Sequence, residues 1–305
     1  MRDKKRDQQM SSSLSIVIAN YNYGRFLPAA IESILSQCDA PRVVDGRAIL
    51  PVKGTDMYVE LIICDAASTD ASKEILSRYQ SSLAWWCSEP DGGQSAAFNK
   101  GFSHAKGEWL TWLNADEIYC ANVFAELSKF ILRHPKARWI AANDCLFEDK
   151  TKLITHVGWG PHLSWPFFIG RRAIAAVFGP SSFFRRELFE AVGGFDERFH
   201  FSMDCDLWTR FAMRSVRQYR LNKTCWKCRI QENSKTFGAQ RDKTREQRQK
   251  EILWMASRSP GYDYRISIRN VWYLLWLFLR IVDLSIFVRI WRCLILTGKP
   301  IEAVP

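Results

Sequence analysis

The first apolar run, LSIVIA at 14–19, is short, rich in β-branched residues and closed by polar ones, the pattern of a strand buried on both faces of a parallel sheet. The period then changes. Leu27, Ala30, Ile31, Ile34 and Leu35 recur at amphipathic-helix spacing within 26–37. Strands at 59–64, 83–87 and 108–113 follow, each succeeded by helical periodicity, at 71–79, 95–105 and 121–133. Such alternation implies right-handed crossovers and a mostly parallel central sheet flanked by helices, an α/β fold of Rossmann-like kind. Further on, 182–192 reads as a strand running into a helix and 204–213 as a second helix. Between them and the fourth strand, 159–179 is loop-rich, with Trp159, Trp165, Phe167 and Phe168 expected to form a wall or lid. An insertion at 40–58 separates the first helix from the second strand.

Open sheets of this type bind ligands beyond the carboxyl ends of their strands. Asn20, Asp65, Asp91 and Asp116 all fall there. Asp116, in the turn Asn114-Ala115-Asp116-Glu117, is a hard oxygen ligand of the sort Mg²⁺ or Mn²⁺ takes beside substrate phosphates. The same turn could instead start the next helix, with Asp116 as a cap. Asp70 is expected to cap the helix that begins near 71, leaving Asp65 for a base or ribose. The turn 88–94, SEPDGGQ, offers backbone N–H groups to an anion before a helix. Asp204 and Asp206 sit on different faces of their helix, so one can face a pocket while the other pairs with Arg210, four residues from Asp206. A desolvated Asp204 suits a general base, and a second helix cap suits it equally.

Composition narrows the class. The 305 residues are 47% hydrophobic and 25% charged, a globular balance rather than a disordered one. Thirteen Trp fit either sugar stacking or a membrane interface. The net charge of +11 favours anionic ligands. Its most basic run, RDKTREQRQK at 241–250, reads first as a solvated helix and second as a docking patch. No nucleic-acid-reading motif accompanies that charge, so no nucleic acid is expected as partner. Nine scattered cysteines, with Cys225-x-x-Cys228 lacking a second pair, indicate reduced thiols in a cytoplasmic setting. Residues 1–13 are polar and basic, a flexible tail rather than a signal segment. Over 269–297, VWYLLWLFL and IVDLSIFV are each too short to span a bilayer, which takes roughly 20 apolar residues. Two short interfacial helices anchored by Trp272, Tyr273, Trp276 and Trp291 fit the pattern, as do a packed helical hairpin or dimer face and a tight spanning hairpin.

The strings SIVIANYNYGRFLPAAIESILSQ, LIICDAASTD, SEPDGGQSAAFNKGF, GEWLTWLNADEIY and FFRRELFEAVGGFDERFHFSMDCDLWTRFA, in this order, resemble the family 2 glycosyltransferases of GT-A fold, above all bacterial enzymes of surface-polysaccharide synthesis. The resemblance implies a GT-A domain over 14–240, followed at 241–305 by a basic linker and membrane-associating helical segment. It implies that Ala19, Asn20 and Tyr21 line the nucleoside pocket, that Asp65 recognises the base, and that Asp91 and Gly93 lie near the nucleotide. Asn114-Ala115-Asp116 stands in place of the family's Asp-x-Asp, with Asp116 holding Mn²⁺ or Mg²⁺ and Asn114 near the ribose. Asp204 matches the catalytic base. Gln231 occupies a position where the family often carries His, and Asn114 replaces the first Asp of its motif. The implied activity is inverting, non-processive transfer from a nucleotide-sugar, foremost a UDP-sugar, to a glycan or lipid-linked acceptor at the inner face of the cytoplasmic membrane. The alternative is a catalytically silent nucleotide-sugar-binding scaffold, supported by the altered Asn114 and Gln231.

Overall fold

The computed structural model describes residues 12–158, 167–169, 172–174, 179–232, 234, 241–258 and 294–304. Strand β1 (Ser12–Asn20) is buried almost throughout and runs parallel to β4 (Met57–Asp65) on one side and β6 (Trp109–Asn114) on the other. In this register Asn20 lies opposite Asp65, and Ala19 opposite Asn114. The insertion at 40–58 forms a hairpin of β2 (Arg42–Val44) and β3 (Arg47–Pro51) that pairs antiparallel with β4. Its two-residue turn, Asp45-Gly46, takes positive φ at both positions, as a tight hairpin requires.

β5 (Trp85–Ser88) continues the parallel sheet beside β4. Past β6 come β7 (Ile118–Tyr119), β8 (Trp139–Glu148), β9 (Ile154–Gly158), a separate small pair β10 (Phe167–Ile169) and β11 (Arg172–Ile174), β12 (Ser182–Arg185) and β13 (Gln218–Ile230). Among the described residues the principal sheet has eleven strands, with the path β2-β3-β4-β1-β6-β12-β8-β13-β7 and with β5 beside β4 and β9 beside β8. β12 is antiparallel to both β6 and β8, and β13 runs parallel to β8.

Helices cover both faces. On one, α1 (Leu27–Leu35), α2 (Ser72–Tyr79) and α4 (Val123–Arg133) pack on Ile16, Ile18, Leu61 and Ile63. On the other, α3 (Gln94–Ser103), α5 (Arg186–Ala191) and α6 (Met203–Met213) pack on Val17, Ile62, Trp112 and Phe184. The alternation of Ile16, Val17 and Ile18 between the two layers is the period of two that a strand covered on both faces must show. α3 sits so close to β1 that a Cβ on Gly101 would lie 2.3 Å from Val17 Cγ1. Four of the tryptophans, Trp109, Trp112, Trp139 and Trp208, are fully buried. Trp208 stacks between Trp112 at 5.5 Å and Trp139 at 5.3 Å. These indoles are core, where stacking on sugar or membrane had been the expectation.

The expected basic linker opens with α7 (Arg241–Ser257), a helix as its charged run at 241–250 was read, but Met255 and Trp254 join the α3–α6 layer. Residues 294–304 return to the sheet, with Ile301 and Val304 buried and Pro300 bridged to Leu153. The expected lid at 159–179 and the interfacial segment at 269–297 lie largely outside the described residues. No helix among the described residues is long and apolar enough to cross a membrane.

Candidate active site

The strand ends gather as the sequence predicts. Asn20, at the last position of β1, donates its amide to Asp65 Oδ1 at 2.6 Å and to Ser72 Oγ at 2.9 Å. Asp65 also accepts from Ser68 through both backbone and hydroxyl, and from Ser88 Oγ at 2.6 Å. Its carboxylate is 1% exposed. Asp65 therefore knits the ends of β1, β4 and β5 together, and it lies behind the open wall of the site rather than on it. The loops after β1 and β4 are stitched further by Asn22 Oδ1, which accepts the Thr69 N–H, and by Asp70, which accepts the N–H groups of Gly24 and Ser72. Asp70 thus bonds the first residue of α2 from the position before its cap, whereas Ala71 holds the cap position itself, with no side-chain cap bond.

Beyond these ends opens a cleft of about 750 Å³ lined by Ala19, Asn20, Tyr21, Asp91, Gly93, Asn114, Ala115 and Asp116, with Glu117, His200, Phe201 and Arg229 completing its walls. Eight of the nine residues implied for nucleotide binding meet here, Asp65 being the exception. Asp91 Oδ1 accepts the Gly93 N–H at 2.8 Å, and Gly93, at φ 106°, turns the chain into α3. The next residue, Gln94, donates to Asn114 Oδ1 at 2.5 Å and so ties that turn to the end of β6.

Asp116 is partly buried and faces β13. Gln231 Nε2 donates to Asp116 Oδ2 at 3.0 Å and also reaches Tyr23 Oη at 3.1 Å. Arg229 donates to the Asp116 carbonyl at 2.8 Å and pairs with Asp149, its guanidinium held between the rings of Phe26 and Phe147. Burial pushes the Asp116 carboxyl above its usual range, with the Gln231 amide opposing. Glu117, buried behind it, is pushed up to about 8 by burial first and by Asp116 second. Its Oε2 accepts the Asn114 N–H at 3.2 Å, so Glu117 shapes the turn from inside.

Asp204 occupies the first turn of α6, close after His200 and Phe201 of the cleft wall. Burial raises its pKa, against hydrogen bonds from the N–H of Cys205 at 2.8 Å and from Gly179. Asp206, two residues on, turns the other way and pairs with Arg210 at 2.6 Å. Arg210 also donates to the carbonyls of Val192 and Gly194, clamping the turn Gly193-Gly194-Phe195-Asp196. Both glycines have positive φ, and a Cβ on Gly194 would lie 2.8 Å from Asn99 Oδ1. Asn99 of α3 holds the same turn through both backbone groups of Phe195.

Sequence reasoning missed Gln94, His200 and Arg229 as cleft residues. Polar side chains inside an irregular loop or a basic strand carry no periodic signal, and only the folded register brings them to the strand ends.

A doubly covered, mostly parallel sheet whose strand ends open into a cleft is the arrangement in which α/β proteins bind their ligands. Residues 15–193 match the description Glycosyl transferase family 2, and the chain belongs to that family. A PGL/p-HBAD biosynthesis glycosyltransferase of Mycobacterium bovis is 27% identical over 196 residues, 63% of this chain and 66% of the relative. An uncharacterized glycosyltransferase of Nostoc sp. is 32% identical over 109 residues, 35% of this chain and only 29% of the relative. The matches thus span less than two thirds of either relative's length. Among solved structures, Staphylococcus aureus TarS 1–349 in complex with UDP-GlcNAc aligns at TM-score 0.56 and 16% identity, covering 81% of this chain and 67% of TarS 1–349. The mannosyltransferase PcManGT of Pyrobaculum calidifontis, in complex with GDP-Man and Mn²⁺, aligns at TM-score 0.54 and 16% identity, covering 93% and 81%. The fold is that of the GT-A glycosyltransferases.

Proposed function

We propose that this protein transfers a sugar from a nucleotide-sugar, foremost a UDP-sugar, to a hydroxyl of a lipid-linked or oligosaccharide acceptor, inverting the anomeric centre and making one transfer per encounter. The observation that carries the reading is the meeting of Asn20, Asp91, Asn114 and Asp116 in one cleft, whose wall continues through His200 and Phe201 into the helix that bears Asp204. The solved complexes of the related fold with UDP-GlcNAc and with GDP-Man and Mn²⁺ support a nucleotide-sugar as ligand.

The cleft is acidic where a diphosphate would lie. Asp91 and Asp116 face it, while Arg229 is engaged by the Asp116 carbonyl and by Asp149. Anionic phosphates do not settle against carboxylates without a cation between them. Asp116, partly desolvated and bonded by the neutral Gln231 amide, fits a single-carboxylate ligand for Mn²⁺ or Mg²⁺. Among the described residues no group of three His, Cys, Asp or Glu forms a cation site, so phosphate oxygens and water would complete the shell. When bound, such a cation supplies Lewis-acid neutralisation of the departing diphosphate.

The remaining work falls to side chains. Asp204 takes the acceptor proton as the acceptor oxygen bonds to the anomeric carbon and the bond to the diphosphate breaks, leaving nucleoside diphosphate and the new glycoside. Burial makes this carboxylate a stronger base than a solvated one. A site at the inner face of the cytoplasmic membrane is supported by the net charge of +11 and by the aromatic, apolar pattern at 269–297. Nucleotide release from a panel of UDP-, GDP- and dTDP-sugars with Mn²⁺ or Mg²⁺ tests the proposal. A folded sample silent toward every donor would overturn it.

A further inference from the structure

Helix α7 reads in sequence as a solvated, charge-laced element, yet its Glu251 is only 3% exposed. The Glu251 carboxylate accepts three successive backbone N–H groups from the loop before α6. Oε1 takes His200 at 2.9 Å, and Oε2 takes Phe201 at 3.1 Å and Ser202 at 2.9 Å. The Ser202 amide is one that a helix start leaves without an internal partner, and those of His200 and Phe201 lead directly into it. Ser202, at the cap position, makes no side-chain cap of its own. A carboxylate nearly fifty residues away supplies the acceptor instead, at the end of the helix where the backbone dipole favours negative charge.

The same loop is held by α3 and by further residues of α7. Ser95 of α3 donates to the Phe199 carbonyl at 2.8 Å, while Trp254 of α7 stacks on the Phe199 ring at 4.8 Å. Arg258, just past α7, pairs with Asp196 at 2.8 Å. The loop therefore has little freedom beyond what α7 allows. Two of its residues line the cleft and the third leads into the turn that carries Asp204.

The geometry points to Glu251 as a positioning residue: through His200, Phe201 and Ser202 it fixes the acceptor-side wall and the seat of Asp204, so that α7 governs turnover and not nucleotide binding. This assignment rests on Asp204 acting as base in the proposed transfer. The residues implied for the nucleotide sit at the ends of β1, β4 and β6 and in the turn before α3, none of which accepts or donates a hydrogen bond with Glu251.

The test uses the full chain with Glu251→Ala and Glu251→Gln, folded state being checked by circular dichroism. Three quantities are measured: amide hydrogen exchange over residues 199–206, affinity for Mn²⁺–UDP by calorimetry, and kcat and KM with a donor that the wild type turns over. Glu251→Ala should exchange faster at 200–202 and lose about 100-fold in kcat, the scale of a misplaced catalytic group, with Mn²⁺–UDP affinity unchanged. Glu251→Gln keeps one carbonyl acceptor and should fall between. Unchanged exchange in Glu251→Ala overturns the anchor. Faster exchange with full kcat overturns the positioning role, as does a kcat loss matched by lost Mn²⁺–UDP affinity. A wild type silent toward every donor sinks the transferase reading instead, and the exchange measurement still decides whether Glu251 holds the loop.

Discussion

Replacing Asp204 by Asn tests the chemistry with little disturbance to the fold, because the amide keeps an oxygen for the Cys205 N–H that Oδ1 now accepts at 2.8 Å. What the substitution removes is proton affinity. Burial holds the Asp204 carboxyl above its usual range, and each unit of elevation adds about 1.4 kcal/mol to the strength of the base. A positioned general base contributes about 10²- to 10⁴-fold, or about 3–5 kcal/mol of barrier. Turnover should fall by that factor. Donor KM and Mn²⁺–UDP affinity should hold, because Asp204 lies outside the residues that line the cleft. The pH dependence has a definite sign: as pH falls through the raised pKa, the carboxylate is protonated and kcat declines. The acid limb of the wild type therefore lies above the value of about 3.9 for a free Asp, and the variant should lack it. Steady-state nucleotide release across that range is the assay. A variant within about tenfold of wild-type kcat, or one that keeps the wild-type limb, would refute the assignment.

Asp116→Asn should abolish the dependence of turnover on Mn²⁺ concentration and cost several kcal/mol of barrier, on the order of 100-fold or more in kcat; a metal titration unchanged from wild type contradicts this. Arg210→Met strands the buried Asp206 and two carbonyls and should cost about 3–5 kcal/mol in denaturant unfolding, most of it recovered by adding Asp206→Leu. Strict additivity of the two changes would show that the pair is not coupled. Asp144, 3% exposed and pressed against Gly158, has its pKa pushed up to about 6 by burial, with Arg220 opposing. A raised carboxyl contributes stability that is intact below its unfolded value and lost as pH rises through the folded one. Asp144→Asn should therefore leave stability near wild type at about pH 4 and raise it by at most roughly 3 kcal/mol at about pH 8, read by denaturant midpoints. Equal midpoint shifts at both pH values would refute this.

The first half of the fold was legible because its strands are apolar runs and its helices keep a single period. β1, β4 and β6 extend the expected strands by a few residues at most, and α1 to α4 fall within a residue or two of their predicted spans. β8 and β13 were not legible. The first breaks its apolar pattern with Asn143 and Asp144, and the second carries Arg220, Lys223, Lys227 and Arg229 among its apolar positions. Lys227 is nevertheless buried, its ammonium on the carbonyls of Ile301 and Val304 from the far end of the chain. Pairing over such separation leaves no local mark. The hairpin at 42–51 did announce itself through Asp45-Gly46, a turn signal passed over within an insertion. For the site, strand-end positions located the cleft, whereas burial decided between residues of the same type. Asp65 and Asp116 look alike in sequence, but one is 1% exposed and internally bonded and the other stands on the open wall.

Trp208 lies one helical turn beyond Asp204, so the indole and the carboxylate share a face of α6, while the stack beneath joins Trp112 of the Asn114 strand to Trp139 of β8. Indoles held nearly parallel at about 5 Å couple their excited states. The protein thus carries an optical gauge within its own interior. The exciton band that this trio adds to the near-ultraviolet dichroism reports how firmly α6 is seated on the sheet. A change in that seating can be followed in real time without any added label, whether or not a sugar is moving.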